Sequence, residues 1–195
     1  PLWQWQEVQE VLRRGVTVAG FRASGVCCGI KERDLDLALI VSDVPATAAG
    51  VFTRSSVPGA PVVLSKQRLR SGRKRGLIAN SGISNVAMGQ RGARAAEAMT
   101  EMAARALGCT PEEMLVASTG VIGEPIPLTR IRTGVALARE ALAPEGLQDA
   151  ARAIMTTDTF PKLSSRCVRL GGRPVTVAGI AKGSGLIEPR MATML

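Results

Sequence analysis

No histidine and no tyrosine occur among the 195 residues of this chain, and aromatic residues amount to only 3%. The missing histidine closes the commonest route to an activated serine or cysteine, in which an imidazole takes the hydroxyl or thiol proton. It also removes the most frequent transition-metal ligand. The four cysteines, Cys27, Cys28, Cys109 and Cys167, form no C-x-x-C pair, so no zinc or other metal site is expected. In a reducing compartment they read as small buried hydrophobes. The shortage of aromatics leaves few platforms for stacking nucleic-acid bases. No apolar run reaches the length of about 18 residues that a membrane-spanning helix needs. The first residues, Pro1-Leu2-Trp3-Gln4-Trp5-Gln6-Glu7, have neither the basic start nor the apolar stretch of a secretory signal. A cytoplasmic protein with no membrane or nucleic-acid partner is expected.

Acidic residues are also in short supply: 16 against 25 basic ones, for a formal charge of +9. The densest basic cluster is Lys66, Arg68, Arg70, Arg73, Lys74 and Arg75. Its plain reading is a solvated loop between two strands. Its functional reading is a non-catalytic module that binds an acidic or phosphate-bearing partner. The 46% apolar and 21% charged content is ordinary for a globular protein. The length fits one domain over residues 1–195 with a real core.

Short apolar runs at 37–41, 51–52, 61–64 and 77–79 predict strands in the first half. Residues 91–107 carry Ala95, Met99, Ala103, Ala106 and Leu107 on one helical face, and Gly108 supplies a stop. Thr110-Pro111-Glu112-Glu113 is a capped helix start, cut short because 115–118 reads as a strand. Further helices are predicted at 128–142 and 144–155. Strands at 166–170 and 174–180 flank Gly171-Gly172, a hairpin turn. The fold class expected is mixed α and β, with helices covering one side of a sheet. The chain ends in an apolar run without a turn signal, as though cut inside a strand, which predicts an open β edge there.

Without histidine, a threonine at a newly made N-terminus is a remaining route to acyl chemistry. Its own α-amine serves as base, with an ordinary pKa of about 7.7–8.0. Ala192-Thr193 suits such a cut, since a small residue before the threonine lets the hydroxyl reach the carbonyl. Ser118-Thr119-Gly120-Val121-Ile122-Gly123 follows a strand and could present a hydroxyl and backbone N–H groups to an oxyanion. Thr156-Thr157-Asp158-Thr159-Phe160-Pro161-Lys162 follows a helix and is rich in hydroxyls; read plainly, Asp158 there caps nearby N–H groups. Asn80-Ser81-Gly82 ends a strand, and Lys182 in Lys-Gly-Ser-Gly could hold a substrate carboxylate. Each of these alone reads as an ordinary turn.

Together, and with Gly29-Ile30-Lys31, 36–40 and 45–53, these segments resemble the ornithine acetyltransferase family, the bifunctional glutamate N-acetyltransferases of arginine biosynthesis. The resemblance runs from about Gly15 onward. It implies a layered α/β sandwich, distantly like that of certain self-processing aminopeptidases and completed by a second fragment. It implies cleavage between Ala192 and Thr193, with Thr193 the nucleophile that carries acetyl from N-acetylornithine to glutamate. Thr119 and Gly120 would form the oxyanion hole. Thr156 and Lys182 would contact substrate, with Thr157 the next choice. No cofactor is implied, and some members accept acetyl-CoA as donor. The partner would be the C-terminal β fragment of the same precursor, in a heterotetramer or larger assembly. The family protein is about twice as long, and its second half adds further substrate contacts. Where the family continues Asn-Ser-Gly with Asn-Ala-Asn, this chain has Ile83-Ser84-Asn85. A related threonine amidohydrolase or aminopeptidase, with water as acceptor, is the neighbouring alternative.

Overall fold

Four strands form a central sheet in the computed structural model, which describes residues 15–185, 194 and 195. They are β1 (Phe21–Val26), β2 (Leu37–Thr47), β3 (Arg73–Ile83) and β4 (Met114–Val121), hydrogen-bonded in that order. The first three run antiparallel to their neighbours, whereas β3 and β4 are parallel. A parallel pair needs a long crossover, and here α2 (Gly89–Leu107) provides it. The remaining helices are α1 (Ala60–Arg68), α3 (Leu128–Glu140) and α4 (Leu147–Ala153). A separate hairpin of β5 (Lys162–Leu170) and β6 (Arg173–Ala181) follows.

Alternation along the strands sorts the core into two faces. Leu37, Leu39 and Val41 of β2 join Ile78, Met114 and Val116 against α2 and α3. Ala38 and Ala79 point the other way, with Ala23, onto Ala150 and Ala153 of α4. Helices therefore cover both faces, not the one side expected. The unbroken apolar run at 37–41 carries that information, because a strand buried on both faces has no polar side to alternate. Small residues let α4 come close. A Cβ on Gly25 would sit 2.1 Å from the Asp149 carbonyl oxygen, and one on Gly146 would sit 1.8 Å from that of Ala23.

The run 61–64 is helical, not a strand. Pro61 sits in the first turn of α1, where a missing N–H costs nothing, and four apolar residues cannot settle periodicity. Helix α1 shields the outer edge of β4. Ser65 Oγ donates to the Val116 carbonyl (2.7 Å) and accepts from the Val116 N–H (3.0 Å). Arg68 Nη1 donates to the Met114 carbonyl (2.9 Å). Residues 51–52 lie in no regular element, and β1 was not anticipated. Helix α2 ends at Gly108 (φ 69°) as its glycine predicts. The Thr110–Glu113 capping box closes only a 3-10 turn before β4 begins.

Gly171 and Gly172 turn the hairpin with φ of 55° and 78°, the pairing a two-residue type I′ turn requires. Its root packs Leu163, Ala178 and Ile180 against Ala151 of α4 and Val16. Farther out Leu170 and Val177 are exposed. Cys27 and Cys167 are exposed as well, contrary to the burial expected of them, and Cys28 and Cys109 are half-buried. Among the described residues no helix is long and apolar enough to cross a membrane.

Candidate active site

The C-terminal ends of the parallel pair β3 and β4 are where open α/β sheets place ligands. In register there, Asn80 faces Ser118, Ser81 faces Thr119 and Gly82 faces Gly120. Alternation sends Asn80 and Ser118 toward α2 and α3, and Ser81 and Thr119 toward α4. Ser81 Oγ donates to the Ala153 carbonyl (2.6 Å), pinning the end of α4 to the strand. Thr156 follows α4, and Lys182 follows β6. Lys182 Nζ donates to Thr119 Oγ1 (3.0 Å) and to Thr156 Oγ1 (2.8 Å). Three separate segments thus meet at one ammonium, only 5% exposed. A hydroxyl that accepts from Lys182 keeps its own proton to donate, so Thr119 is available as a hydrogen-bond donor.

Asp158 organises the surroundings of that lysine. Its carboxylate, fully buried as a side chain, accepts from the Gly183 N–H (2.8 Å), the Thr156 N–H (3.3 Å) and Lys162 Nζ (2.5 Å). Burial pushes the Asp158 carboxyl up, but those hydrogen bonds outweigh it and hold the group below the usual carboxylate range. For Lys182, burial pushes the ammonium below its ordinary value. The field of Asp158 opposes that, and nearby Lys162 adds to it.

Gly120 is glycine for a steric reason. Its φ is 132°, and a Cβ there would lie 2.2 Å from the Gly82 carbonyl carbon. The ladder loses its regular register at Gly82 and Ile83, beside Thr119 and Gly120. Thr157, next to Thr156 in the chain, is exposed. Ala192 and Thr193 lie outside the described residues. Beyond them, the Leu195 carbonyl accepts from the Lys182 N–H (2.9 Å).

Asn80-Ser81-Gly82 lies within β3, and the side-chain amides and hydroxyls of this segment bond internally, although Asn80 Oδ1 is left without a partner among the described residues. Asn80 Nδ2 donates to the Ile83 carbonyl (2.9 Å), Ser84 Oγ to the Val121 carbonyl (2.8 Å) and Asn85 Nδ2 to the Gly92 carbonyl (2.9 Å). Ile83 packs against the main core. The unusual Ile83-Ser84-Asn85 is thereby absorbed on the face away from Lys182. Half of the basic cluster is likewise spent internally, and it lies in α1, a 3-10 turn at Leu69–Ser71 and β3, not in the loop expected. Arg68 holds β4, Lys74 Nζ donates to Ser71 Oγ (2.5 Å) and the Arg73 carbonyl (2.8 Å), and Arg73 reaches the Pro45 carbonyl (3.3 Å).

Burial and the adjacent Asp36 carboxylate push the Cys28 thiol to about 12, so it stays protonated. Among the described residues no group of three or more acidic or cysteine side chains is gathered tightly enough to hold a metal ion. An apolar cavity of about 390 Å³ between β1 and β6 is lined by Val18, Phe21, Ile40, Leu147 and Val177, and by none of Thr119, Thr156 or Lys182. What the sequence reading missed is the role of Lys162 and Gly183 in fixing Asp158. The i, i+4 spacing of Asp158 and Lys162 was its only visible signal.

A model of the ArgJ family matches residues 22–195. The arginine biosynthesis bifunctional protein ArgJ of Symbiobacterium thermophilum is 51% identical over 190 residues, covering 95% of this chain and 47% of the relative. That of Thermosynechococcus vestitus is 48% identical, covering 98% of this chain and 45% of the relative. The chain spans about half the length of the curated relatives it matches. Among solved structures, the ornithine acetyltransferase of Mycobacterium tuberculosis, complexed with ornithine, superposes with a TM-score of 0.83 at 40% identity, over 90% of this chain and 94% of that one. Arginine biosynthesis bifunctional protein ArgJ of Bacillus halodurans superposes with a TM-score of 0.83 at 36% identity, over 91% and 92%.

Proposed function

The chain belongs to the ArgJ family, and from that premise we propose that it is the N-terminal portion of a self-cleaving acetyltransferase that moves acetyl from N-acetylornithine to glutamate. The observation that carries the reading is the convergence of Thr119, Thr156 and Lys182 at the ends of β3 and β4. The lengths of the relatives support a two-chain protein. The solved chains are matched over 92% and 94% of their length, the curated sequences over less than half.

In this reading Thr193 Oγ first attacks the Ala192 carbonyl. The peptide bond gives way to an ester that water hydrolyses, leaving Thr193 with a free α-amine. That amine then takes the Thr193 hydroxyl proton as Oγ attacks the acetyl carbonyl of the donor. The Thr119 hydroxyl and the Gly120 N–H receive the developing oxyanion. Collapse expels the ornithine amine, which takes up the proton, and leaves acetyl-Thr193. The glutamate amine attacks that ester, and N-acetylglutamate departs as Thr193 regains its proton. Thr156 and Lys182, with Thr157 at the rim, face the substrate. Acetyl-CoA is an alternative donor to the same threonine, and the C-terminal fragment completes the assembly, a heterotetramer or larger in the cytoplasm.

The full-length protein should run as two fragments on a denaturing gel, and its smaller peptides should include one beginning at Thr193 that gains a single acetyl group with acetylornithine alone. Thr193→Ala should leave one uncut chain without transferase activity. Normal cleavage in that variant would remove Thr193 from its role, and ornithine release at full rate without glutamate would favour the amidohydrolase.

A further inference from the structure

Beside Thr119, Thr156 and Lys182 lies a buried carboxylate that takes no part in the proposed acetyl transfer. Asp158 binds two backbone N–H groups from segments far apart in sequence: Thr156, which follows α4, and Gly183, which follows Lys182. These are the two segments whose side chains must meet, since Lys182 Nζ bonds Thr156 Oγ1. A carboxylate that accepts from both backbones adds a second charge-assisted tie between the segments, beside the Lys182–Thr156 side-chain contact. Lys162 Nζ, on β5, bonds Asp158 Oδ1, the same oxygen that accepts from the Gly183 N–H.

We propose that Asp158 is a positioning residue of the active site: it clamps the Lys182–Gly183 turn to the Thr156 loop and supplies the counter-charge for the Lys182 ammonium. The proposal rests on the acetyltransferase reading of the same site. Lys182 is committed to two neutral hydroxyls. Of the charged groups around it, Asp158 favours its charged form and Lys162 disfavours it. Lys31 reaches the same loop only at the Met155 carbonyl (3.2 Å). The arrangement therefore has one stabilising charge and one opposing charge, and each can be removed separately.

The test uses the full-length, self-cleaved protein and follows ornithine release against pH. In Asp158→Asn one oxygen remains to accept from the Gly183 N–H, the Thr156 N–H loses its acceptor, and Lys182 loses its counter-charge. The Lys182 ammonium must stay charged to hold a substrate carboxylate, so its deprotonation sets the alkaline limb of the kcat profile, which should move down by about one pH unit, the lower end of what a neighbouring opposite charge supplies. In Lys162→Met, which removes the opposing charge from a partly exposed side chain, the limb should move up. Asp158→Glu should restore the limb toward its original position even where kcat stays low. A purely structural Asp158 would lower stability or kcat without moving the limb. Unchanged limbs in Lys162→Met and in folded Asp158→Asn, or shifts of the same sign in both, would overturn the proposal. If Asp158→Asn does not fold, an unmoved limb in Lys162→Met overturns it alone. Absence of acetyl transfer in the wild type would instead defeat the acetyltransferase reading, so the two failures are distinguishable.

Discussion

The two faces of the central sheet are built from different stock. Toward α2 and α3 the sheet presents Leu37, Leu39, Ile78 and Met114, which mesh with Met99 and Ile131, all fully buried. Toward α4 it presents Ala23, Ala38 and Ala79, matched by Ala150 and Ala153. Large aliphatics fill space and supply most of the transfer free energy. Alanine and glycine supply little of it, but they let α4 approach the strand backbone directly. That close approach brings Thr156, Asp158 and Lys182 over the end of β4, where Thr119 waits on the same face. One face thus holds the sheet together, and the other trades hydrophobic burial for placement of polar groups.

The division can be broken first on the sealed face. Ile78 is fully buried among large neighbours, and truncation there leaves a cavity in close-packed surroundings. Ile78→Ala should destabilise the full-length protein by about 3–5 kcal/mol, the upper range for such changes. Turnover per folded, cleaved molecule should stay near the wild-type value. Denaturant unfolding alongside steady-state kinetics checks both halves of that statement, and a lost kcat in well-folded Ile78→Ala would mean the faces are not separable.

The converse change lies on the α4 face. Thr119→Ala deletes one hydroxyl that donates to the oxyanion in the proposed mechanism. It should lower turnover roughly 10²-fold, as loss of one such donor does, and cost on the order of 1–3 kcal/mol of stability, because buried Lys182 loses one of its two hydroxyl partners. A variant with unchanged turnover would take Thr119 out of the site. A variant that unfolds instead would show that the Lys182–Thr119 bond serves the fold and not the chemistry.

How far the sequence could be read follows the same division. The large-residue face was legible because amphipathic spacing at 91–107 and apolar runs at 37–41 and 77–79 report burial directly. Strand β1 was not, since Phe21–Val26 is FRASGV, whose alanine, serine and glycine pack by smallness and leave no hydrophobic pattern. Helix α1 was misread because Pro61 opens a helix as readily as it interrupts a strand. The site was legible only as a set of separate motifs. Thr119, Thr156 and Lys182 each sat in a segment that alone is an ordinary turn, and the family resemblance joined them. Asp158 was legible as a cap of nearby N–H groups, which the Thr156 N–H bears out, but its hold on Gly183 was invisible, because a bond across the fold between residues 25 apart leaves no periodicity.

The smallest expected effect sharpens where the sealed face ends. Ser65 Oγ both accepts from the Val116 N–H and donates to the Val116 carbonyl, so one hydroxyl satisfies two groups on the outer edge of β4. Ser65→Ala leaves both without that partner. Each unsatisfied buried group costs on the order of 1–3 kcal/mol, and α1 keeps Ser65 and Val116 buried, so about 2 kcal/mol, the low end for two groups, is expected. Thr119 lies on the same strand, three residues past Val116, which makes this the discriminating position. If α1 serves only to shield the edge, Ser65→Ala lowers the unfolding midpoint and leaves kcat and KM alone. If instead it fixes the register of β4 against β3, kcat falls as Thr119 and Gly120 shift, and the boundary between the stabilising face and the site must be redrawn to include α1.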